Sequence, residues 1–541
     1  MRVQDIEIPQ PENRHGWYRF FEILPGALSW MVLILPLLLS LVSVTAAAFI
    51  MIAYLLMWFI RAIALNIRVV QSYNLLRQHE AIDWQGLIDD VVKGEATHPK
   101  APKWHAVNLE RIAKQPNGIN PRDVYHAVII ATYNETREIL EPTVKAVLDS
   151  DFDHKKIILV IAYEGRDGAK AEKPALELVK EYGKDFAYAV AYKHPLTEGE
   201  VRGKGGNINF AGRQLAKLIK EKGINPSNVL VTTLDADNRP HKKYLAGLTY
   251  VFSVAHDPKY LSFQPAPMFT NNIWDAPALM RVIATSNSFW MLVQGTRQHM
   301  LRNFSSHSQP LDALIDMDFW SARTIVEDGH HFWRSYFRFD GRHEVVPIFL
   351  PIYQDAVMAD GYRRTLKAQF IQVRRWAWGA SDVAYVAQKA FFIKNKVNKV
   401  DATFKFLRLL EGHVSWATSP LILLYGALIP SLLYHKNLLA NQLPLIASNI
   451  ERIALASILV SLYMSFKILP PKPARYKRTR TFWMVVQWVL LPISTLCYSA
   501  AAAIYSQTRL MFRRYIGSFD VTEKAVKKET GEVITSSKQE S

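Results

Sequence analysis

Long apolar runs lie near both ends of the chain, and a mixed, charged block fills the middle. The run at 27–60 contains no charged residue, and as a single helix its roughly 34 residues would span about 50 Å. That exceeds the ~30 Å hydrocarbon core of a bilayer. We therefore predict two short membrane spans arranged as a hairpin, with Pro36 inside the first. One long tilted helix is the alternative.

Further apolar runs lie near the C-terminus, at 420–434, 453–469 and 482–505. The segment PPKPARYKRTR at 470–480 carries five Lys and Arg residues, which predicts a cytoplasmic position by the positive-inside rule. Basic residues also follow the last run, which contains Pro492. We therefore predict a broken or hairpin arrangement there and about six spans in all. Buried core helices are a poor alternative, because the runs are too long and too apolar.

The pattern changes between 124 and 380, where short apolar runs alternate with helical stretches. This alternation predicts an α/β fold with a mostly parallel sheet and helices on both faces. Ligands of such sheets bind beyond the carboxyl ends of the strands, so candidate site residues should follow the strands. The predicted strands are 124–130, 156–163, 186–192, 229–234 and 260–265, with helices such as 136–148 and 207–222 between them.

The formal net charge of +17 suits nucleic acid, anionic lipid or an anionic substrate. Much of this charge adjoins the predicted spans, where it can meet anionic lipid, so we expect no nucleic-acid partner. The single cysteine, Cys497, excludes an internal disulfide and a cysteine zinc cluster. A polar start followed by a long apolar run does not fit a cleavable signal peptide.

Polar segments follow the predicted strands: ATYNE at 131–135, EGRDG at 164–168 and DAD at 235–237. TIVED, at 324–328, leads into Asp328 in the same way. Asp235 and Asp237 could both reach one hard cation and leave its other positions to phosphate or water. This spacing indicates Mg²⁺ or Mn²⁺ bridging a diphosphate. A helix N-cap within DADNRPHKKYL is the alternative.

Two other segments suit phosphate. RGKGGNIN, at 202–209, puts glycine amides and Lys204 just before a helix, although a flexible solvated loop is the alternative. In QVRRW, residues Gln372, Arg375 and Trp376 fall on one helix face. Arginine binds phosphate oxygens, and tryptophan can stack on a sugar. The alternative is a basic helix at the membrane interface, anchored by Trp376 and Trp378.

The segment IVEDGHHFW crowds Glu327 and Asp328 beside His330 and His331. Adjacent histidines point in different directions on a helix, unlike the i,i+4 pair of helical zinc sites. We therefore expect both histidines to be packing or surface residues. Contact of His330 with an acceptor or with Asp328 is the alternative.

Together these segments resemble glycosyltransferase family 2, and within it the membrane-embedded, processive enzymes similar to bacterial cellulose synthase. The resemblance covers about 120–525 and follows the family's order. FDVTEK, at 519–524, is similar to the F-x-V-T-x-K gating loop of bacterial cellulose synthases. The other segments that carry the resemblance are TYNE at 132–135, Glu164, DAD, ED at 327–328, and QVRRW at 372–376.

The resemblance implies a GT-A type, Rossmann-like domain inserted between transmembrane helices, and it implies a role for each matching residue. Asp328 would be the general base, and Asp237, with Asp235 at the nucleotide beside it, would hold the metal. We group Lys204 with the donor site. The remaining implied roles are the base and ribose pocket for Tyr133, Glu135 and Glu164; the diphosphate and acceptor end for Gln372, Arg375 and Trp376; and gating for Phe519, Thr522 and Lys524.

The sequence departs from the family's pattern at several of these positions. Glu164 stands where aspartate is usual, which weakens the preference for uridine. Ala131 and Val326 replace a common proline and a threonine. GHHFW follows the acidic pair, and 309–320 lacks the family's Arg-rich form, so the acceptor need not be a cellulose chain.

We predict an enzyme that moves a sugar from a nucleotide diphosphate sugar, with a UDP-sugar favoured, onto a growing, exported, β-linked polysaccharide. Alternatives are transfer of a single sugar to a lipid carrier and a catalytically idle nucleotide-binding membrane subunit. We expect the protein to cross the inner (plasma) membrane several times and to carry its catalytic domain in the cytoplasm. The predicted units are an N-terminal hairpin at 1–66, a connector at 67–122, a GT-A domain at 123–395, an interfacial helix at 396–412, a transmembrane region at 413–512 and a gating tail at 513–541.

Overall fold

The structure is a computed structural model that describes residues 6–165, 169–195, 197–517, 524–527 and 533–535. An eight-stranded sheet occupies the centre of the middle block, in the order β3-β2-β1-β4-β7-β6-β8-β5. Its strands are β1 (Tyr125–Thr132), β2 (Ile157–Glu164), β3 (Tyr188–His194), β4 (Val229–Asp235), β5 (Arg239–Pro240), β6 (Leu261–Met268), β7 (His307–Pro310) and β8 (Glu344–Tyr353). A separate antiparallel pair comprises β9 (Ala525–Lys527) and β10 (Val533–Thr535).

The sheet is mixed. Strands β1 to β4 run parallel, as do β6 and β8, whereas β7 and β5 pair antiparallel with their neighbours. The α/β class and all five predicted strands are confirmed, and parallel pairing holds throughout the first half of the sheet. The prediction of a mostly parallel sheet missed the antiparallel strands β5 and β7, and β8 was not predicted.

Helices cover both faces of the sheet, as predicted. Alternate residues of β1 point to opposite faces. Val128 and Ile130 pack against α5 (Arg137–Leu148) and α6 (Ala169–Tyr182), and Ala127 and Ile129 pack against α7 (Lys204–Glu221). Burial on both faces explains why β1 and β2 are almost uninterrupted apolar runs. The helices of this block are α5 (Arg137–Leu148), α6 (Ala169–Tyr182), α7 (Lys204–Glu221), α8 (Tyr244–Val254), α9 (Ala278–Gly295), α10 (Leu311–Asp316), α11 (Glu327–Arg338), α12 (Tyr362–Ala377) and α13 (Asp382–Ala387).

Four helices in the described part of the chain are long and apolar enough to cross a membrane. These are α1 (Gly16–Val42), α2 (Val44–Ala81), α16 (Leu438–Ile468) and α17 (Thr479–Met511). The predicted break of the first apolar run is confirmed: α1 ends before Ser43, whose hydroxyl accepts a hydrogen bond of 3.2 Å from the Ala46 amide and caps α2.

About six spans were predicted, so the later part of that prediction differs from the structure. The run at 420–434 is divided between α14 (Lys399–Tyr425) and the short α15 (Leu428–Leu433). The last run is one continuous helical span, α17, so the hairpin is not formed. The span is interrupted beside Pro492 by a 3-10 segment at Gln487–Leu490 and a π-helical segment at Ser494–Ala500, which agrees with the broken arrangement. The predicted interfacial segment at 396–412 lies in the first half of α14 and its approach.

The connector that follows α2 packs on the sheet domain. Trp84 and Leu87 of α3 (Trp84–Lys93) join the core beneath α8. In α4 (Lys103–Lys114), His105 Nδ1 lies 2.8 Å from the Tyr250 hydroxyl. This packing joins the apolar helices to the domain that carries the candidate site.

Candidate active site

The carboxyl ends of three neighbouring strands bring the predicted donor residues to one edge of the sheet. Thr132 of β1 pairs in register with Tyr163 of β2, and Ala131 pairs with Asp235 of β4. Asn207 of α7 ties two of these ends together, because its Nδ2 donates to the carbonyl oxygens of Thr132 (3.2 Å) and Ala162 (2.8 Å). TYNE, Glu164 and DAD therefore lie along one edge, as the parallel pattern predicted.

Glu135 is buried at the end of β1. Its Oε2 accepts hydrogen bonds of 2.8 Å from the Thr132 hydroxyl and from the Tyr133 amide. Its other oxygen lies 3.7 Å from Lys524 Nζ. Glu164, the last residue of β2, is also buried. The base and ribose role predicted for this group stays a prediction.

Asp235 is held on both oxygens. Lys204 Nζ lies 2.8 Å from Oδ1, and the Ser305 hydroxyl donates to Oδ2 at 2.6 Å. Burial opposes the charged form, yet the ammonium groups of Lys204 and Lys524 hold the pKa of Asp235 below its usual range. The start of α7 is thus a packed, charged contact and not the flexible loop considered from sequence.

Asp237 faces a cation. Lys524 Nζ lies 2.8 Å from its Oδ1, and the Asp355 amide donates to its Oδ2 at 3.2 Å. Burial, and then the neighbouring Asp237 carboxylate, raise the pKa of Asp355 to about 7. The N-cap alternative for DAD is excluded, because α8 begins at Tyr244 with Lys243 as its N-cap.

Asp328 lies in the first turn of α11. Its Oδ2 accepts a 2.6 Å hydrogen bond from the Ser305 amide, and its Oδ1 accepts a 2.8 Å bond from the Gly329 amide. The segment before Asp328 was predicted to be strand-like, which is wrong: Val326 is the N-cap of α11. Asp328 therefore reaches the site from a helix start.

Ser305 joins the two acidic motifs. Its hydroxyl bonds to Asp235 and its amide bonds to Asp328, and it adopts a left-handed φ of 38°. Gln354 Nε2 also donates to the Ser305 hydroxyl at 3.3 Å. One residue thus holds one carboxylate of DAD and one of ED in the same cleft, although Asp235 and Asp328 stand 93 positions apart in sequence.

Glu327 differs sharply from Asp328. It is buried, and burial followed by the adjacent Asp328 charge raises its pKa to about 8. Gly205 of α7 lies against it: a Cβ there would stand 3.2 Å from Glu327 Cβ and 2.5 Å from the Ser321 carbonyl oxygen. The absence of a side chain at Gly205 permits this close approach.

The two histidines are buried and hydrogen-bonded, as expected of the packing residues favoured from sequence, whereas contact of His330 with an acceptor stays a prediction. His330 Nδ1 lies 2.7 Å from Asp382 Oδ1, and His331 Nε2 lies 2.5 Å from Gln309 Oε1. They point to different partners, as expected for adjacent positions on a helix. His331 also stacks on Trp320.

QVRRW lies within α12, so Gln372, Arg375 and Trp376 do share a helix. Trp376 packs against Phe269, with ring centroids 6.2 Å apart. Phe269 belongs to the loop whose Asn271 donates to the Asp237 carbonyl oxygen at 2.9 Å. Trp378 is buried and is therefore not a membrane anchor. The Ser506 hydroxyl of α17 donates to the Arg374 carbonyl oxygen at 2.8 Å, which places α12 against an apolar helix.

The donor set fits a hard cation held by one protein carboxylate. Within the described residues, no three histidine, cysteine or acidic side chains converge as metal ligands. Both oxygens of Asp235 are engaged by neutral or cationic groups of the protein, Ser305 and Lys204. Asp237 accepts from the Asp355 amide on one oxygen and faces the Lys524 ammonium with the other, so a metal cation could take the place of that ammonium group. Magnesium commonly takes one or two carboxylates and completes its shell with substrate phosphates and water.

Sequence reasoning missed Ser305, Gln354 and Asp355, which lie in loops with no distinctive motif. Their positions depend on the antiparallel strand β7 and on β8, neither of which was predicted. Of the gating segment, Phe519 and Thr522 lie outside the described residues. Lys524 is described, and it forms a parallel bridge with Met358 beside the site.

Comparison with protein-family models finds no match, and comparison with curated proteins finds none. Among solved structures, the chain is similar to the mannosyltransferase PcManGT from Pyrobaculum calidifontis in complex with GDP-Man and Mn²⁺ (14% identity, TM-score 0.37, 80% of this chain and 99% of that chain). It is also similar to S. aureus TarS 1–349 in complex with UDP-GlcNAc (11% identity, TM-score 0.35, 76% of this chain and 96% of that chain). At these values the similarity assigns neither activity nor substrate to this chain.

Proposed function

We propose that this chain is an inverting membrane glycosyltransferase of the cellulose synthase-like group of family 2, which moves a sugar from a nucleotide diphosphate sugar onto a growing polysaccharide. The observation that carries the proposal is the Ser305 bridge, because it holds Asp235 and Asp328 in one cleft. Single-step transfer requires the donor and the base to lie in the same cleft, and the shared contact with Ser305 supports this arrangement.

The donor would lie along the carboxyl ends of β1, β2 and β4. Tyr133, Glu135 and Glu164 would contact the base and ribose, and Lys204 would keep Asp235 ionised and oriented. Asp237 would hold Mg²⁺ or Mn²⁺ in the place now facing Lys524. When bound, the cation would neutralise the diphosphate leaving group.

The chemical step follows from the position of Asp328. The carboxylate takes the proton of the acceptor hydroxyl, while the acceptor oxygen attacks the anomeric carbon of the donor sugar. The bond from that carbon to the diphosphate breaks, and the nucleoside diphosphate leaves with the bonding electrons. A general base of this kind contributes about 10²–10⁴-fold. One displacement inverts the anomeric carbon, so an α-linked donor gives a β-linked product.

The Ser305 contacts also give the base its orientation. Two backbone amides, of Ser305 and Gly329, donate to the two oxygens of Asp328. Such contacts fix the carboxylate before the acceptor arrives, so no reorganisation is needed during proton transfer.

A polymeric product is favoured by the contact between α12 and α17. Trp376 lies near the donor loop, and Arg374 in the same turn of α12 contacts a helix long enough to cross a membrane. Gln372, Arg375 and Trp376 are therefore proposed at the diphosphate and the acceptor end, with Phe519, Thr522 and Lys524 closing over bound nucleotide. The second candidate, transfer of one sugar to a lipid carrier, is favoured by the same four apolar helices.

The test uses the full chain purified in detergent and a panel of nucleotide sugars with Mn²⁺ or Mg²⁺. We expect one donor to give metal-dependent release of nucleoside diphosphate together with long saccharide chains. One sugar on extracted lipid would instead support the second candidate. Donor binding without release in every condition would support an idle nucleotide-binding subunit and would refute the proposal.

A further inference from the structure

Four arginines from three separate elements lie near the end of the uncharged part of α2. Arg61 is the first charged residue after the apolar run at 27–60, and Arg68 follows seven residues later. Seven residues are close to two helical turns, so both side chains lie on one face of α2, about 10 Å apart along its axis. Arg408 of α14 and Arg297, just after α9, complete the group, which we call the arginine cluster.

Specific contacts join these elements. Arg61 Nη1 and Nη2 each lie 3.1 Å from Glu411 Oε1, which ties α2 to α14. One turn earlier on α14, Arg408 Nη1 donates to Met300 Sδ at 3.3 Å. Met300 shares a turn with Arg297, because its amide donates to the Arg297 carbonyl oxygen at 2.8 Å. The cluster therefore spans α2, α14 and the turn after α9.

The cluster has far more positive than negative charge. Glu411 pairs with Arg61, whereas Arg68, Arg297 and Arg408 form no ion pair with a carboxylate in the part of the chain that the structure describes. Burial, and then the charges of Arg68, Arg408 and Arg61, lower the pKa of Arg297. Like charges held together without counter-charges repel one another, and an anion between them relieves this repulsion.

The surroundings of the cluster are those of a bilayer interface. Ile60, Ile63 and Ile67 of α2 are exposed, as are Phe404 and Leu407 beside Arg408 on α14. The guanidinium of Arg61 lies over the Trp58 ring, 5.0 Å from its centroid. Exposed apolar side chains flanking basic residues, with a tryptophan at the same level, are typical of the headgroup region.

We propose that Arg61, Arg68, Arg297 and Arg408 bind the phosphate headgroup of an anionic phospholipid, whose acyl chains lie along the exposed apolar residues of α2 and α14. Arginine suits this ligand because its planar guanidinium donates two parallel hydrogen bonds to phosphate oxygens. The apolar flanks favour a lipid over a soluble phosphate. The inference rests only on the membrane-spanning part of the proposed function and not on its chemistry.

A single chain segment also connects the arginine cluster to the cleft that contains Asp235 and Asp328. Ser305 follows Arg297 by eight residues on the segment that connects α9 to β7. A headgroup held at Arg297 would fix one end of this segment, and the other end bonds to Asp235 and Asp328.

The test compares the full chain with the triple variant Arg68→Gln, Arg297→Gln and Arg408→Gln, which keeps the Arg61–Glu411 pair. The matched control, Lys180→Gln, Lys217→Gln and Lys220→Gln, removes the same charge from exposed positions of α6 and α7. Purified proteins are titrated with phosphatidylglycerol, phosphatidylcholine or inorganic phosphate, and bound lipid is counted by native mass spectrometry. Thermal unfolding confirms that each variant is folded, and Arg408→Gln alone serves if the triple variant is not.

We expect selective retention of phosphatidylglycerol by the wild type and the control. At roughly fivefold per arginine, the triple variant should bind it on the order of 100-fold more weakly. The proposal would be overturned if the wild type retained both lipids equally, or if the triple variant bound phosphatidylglycerol as tightly as the wild type does. It would also be overturned if inorganic phosphate competed equally, or if the cluster captured an acidic protein without lipid. Nucleotide-sugar turnover is measured separately, so its failure with intact lipid selectivity would count against the proposed function alone.

Discussion

Replacing Asp328 by asparagine removes the proposed base while keeping its size and one of its two backbone contacts. The asparagine oxygen can still accept from the Ser305 amide, but the new amide group cannot accept from Gly329. Loss of a hydrogen bond to a charged group costs about 1.5–3 kcal/mol of stability, which a folded domain tolerates. The loss of turnover should be larger, because a general base contributes about 10²–10⁴-fold, or roughly 3–5 kcal/mol.

The neighbouring Glu327 is the matched control. Burial and then the Asp328 charge raise its pKa to about 8, so the protonated form predominates at pH 7. Glutamine has nearly the shape of the protonated acid, so Glu327→Gln should keep most of its turnover at pH 7.

The assay is nucleoside diphosphate release at saturating donor, with donor affinity measured separately by calorimetry. Asp328→Asn should lose at least 100-fold in turnover while donor affinity changes little. Turnover above a tenth of the wild-type value in Asp328→Asn would refute the assignment of the base. Equal losses in both variants would refute the contrast between the two carboxyl groups.

The remaining predictions concern stability and cation binding. When folded, Glu327 keeps its proton up to about pH 8, whereas in the unfolded chain the proton is lost near the ordinary glutamate pKa of 4.5. The contribution of Glu327 to stability is therefore fully present below pH 4.5 and is lost as the pH rises through 8. The free energy of unfolding of Glu327→Gln relative to that of the wild type should therefore increase from pH 5 to pH 9, by on the order of 5 kcal/mol at most. A difference that stays constant with pH would contradict the raised pKa of Glu327. Lys524→Met removes the ammonium group that faces Asp237. Because a charge-assisted hydrogen bond is worth about 1.5–3 kcal/mol, this variant should bind Mn²⁺ about tenfold or more tightly than the wild type in calorimetry without nucleotide. Unchanged or weaker Mn²⁺ binding would count against competition between Lys524 and the metal at Asp237. Asn207→Ala removes two hydrogen bonds that join β1 and β2 and should lower the free energy of unfolding by about 1–3 kcal/mol in urea titrations, whereas a neutral effect would mean that the strand ends are held by other contacts.

The strands that could be predicted from sequence are those whose neighbours bury them on both faces. β1, β2 and β4 are predominantly apolar and fully buried along most of their length, so their positions and carboxyl ends followed directly. β7 (HSQP) is short and polar, and β8 (EVVPIFLPIY) contains two prolines that disfavour a strand prediction. Their pairing depends on tertiary contacts that a local pattern does not encode.

The candidate site divides in the same way. Asp235 and Asp237 could be found because they end a buried strand. The contacts of Ser305 and Asp355 with these acids could not, because each lies in a loop positioned by β7 or β8. The apolar patterns likewise predicted about six spans, which is more than the structure contains among its described residues. Length and hydropathy counted the run at 420–434 as a span, and they do not reveal that α14 ends inside it, at Tyr425.

Transfer of sugar by Asp328 is tested by following both halves of the donor at once. The purified chain is given a nucleotide sugar with one label in the sugar and another in the nucleotide, together with Mn²⁺. We expect the sugar label to enter saccharide in the same molar amount as nucleoside diphosphate appears, and we expect Asp328→Asn to abolish both. Sugar label found only as free monosaccharide, or equal incorporation by Asp328→Asn, would contradict this expectation.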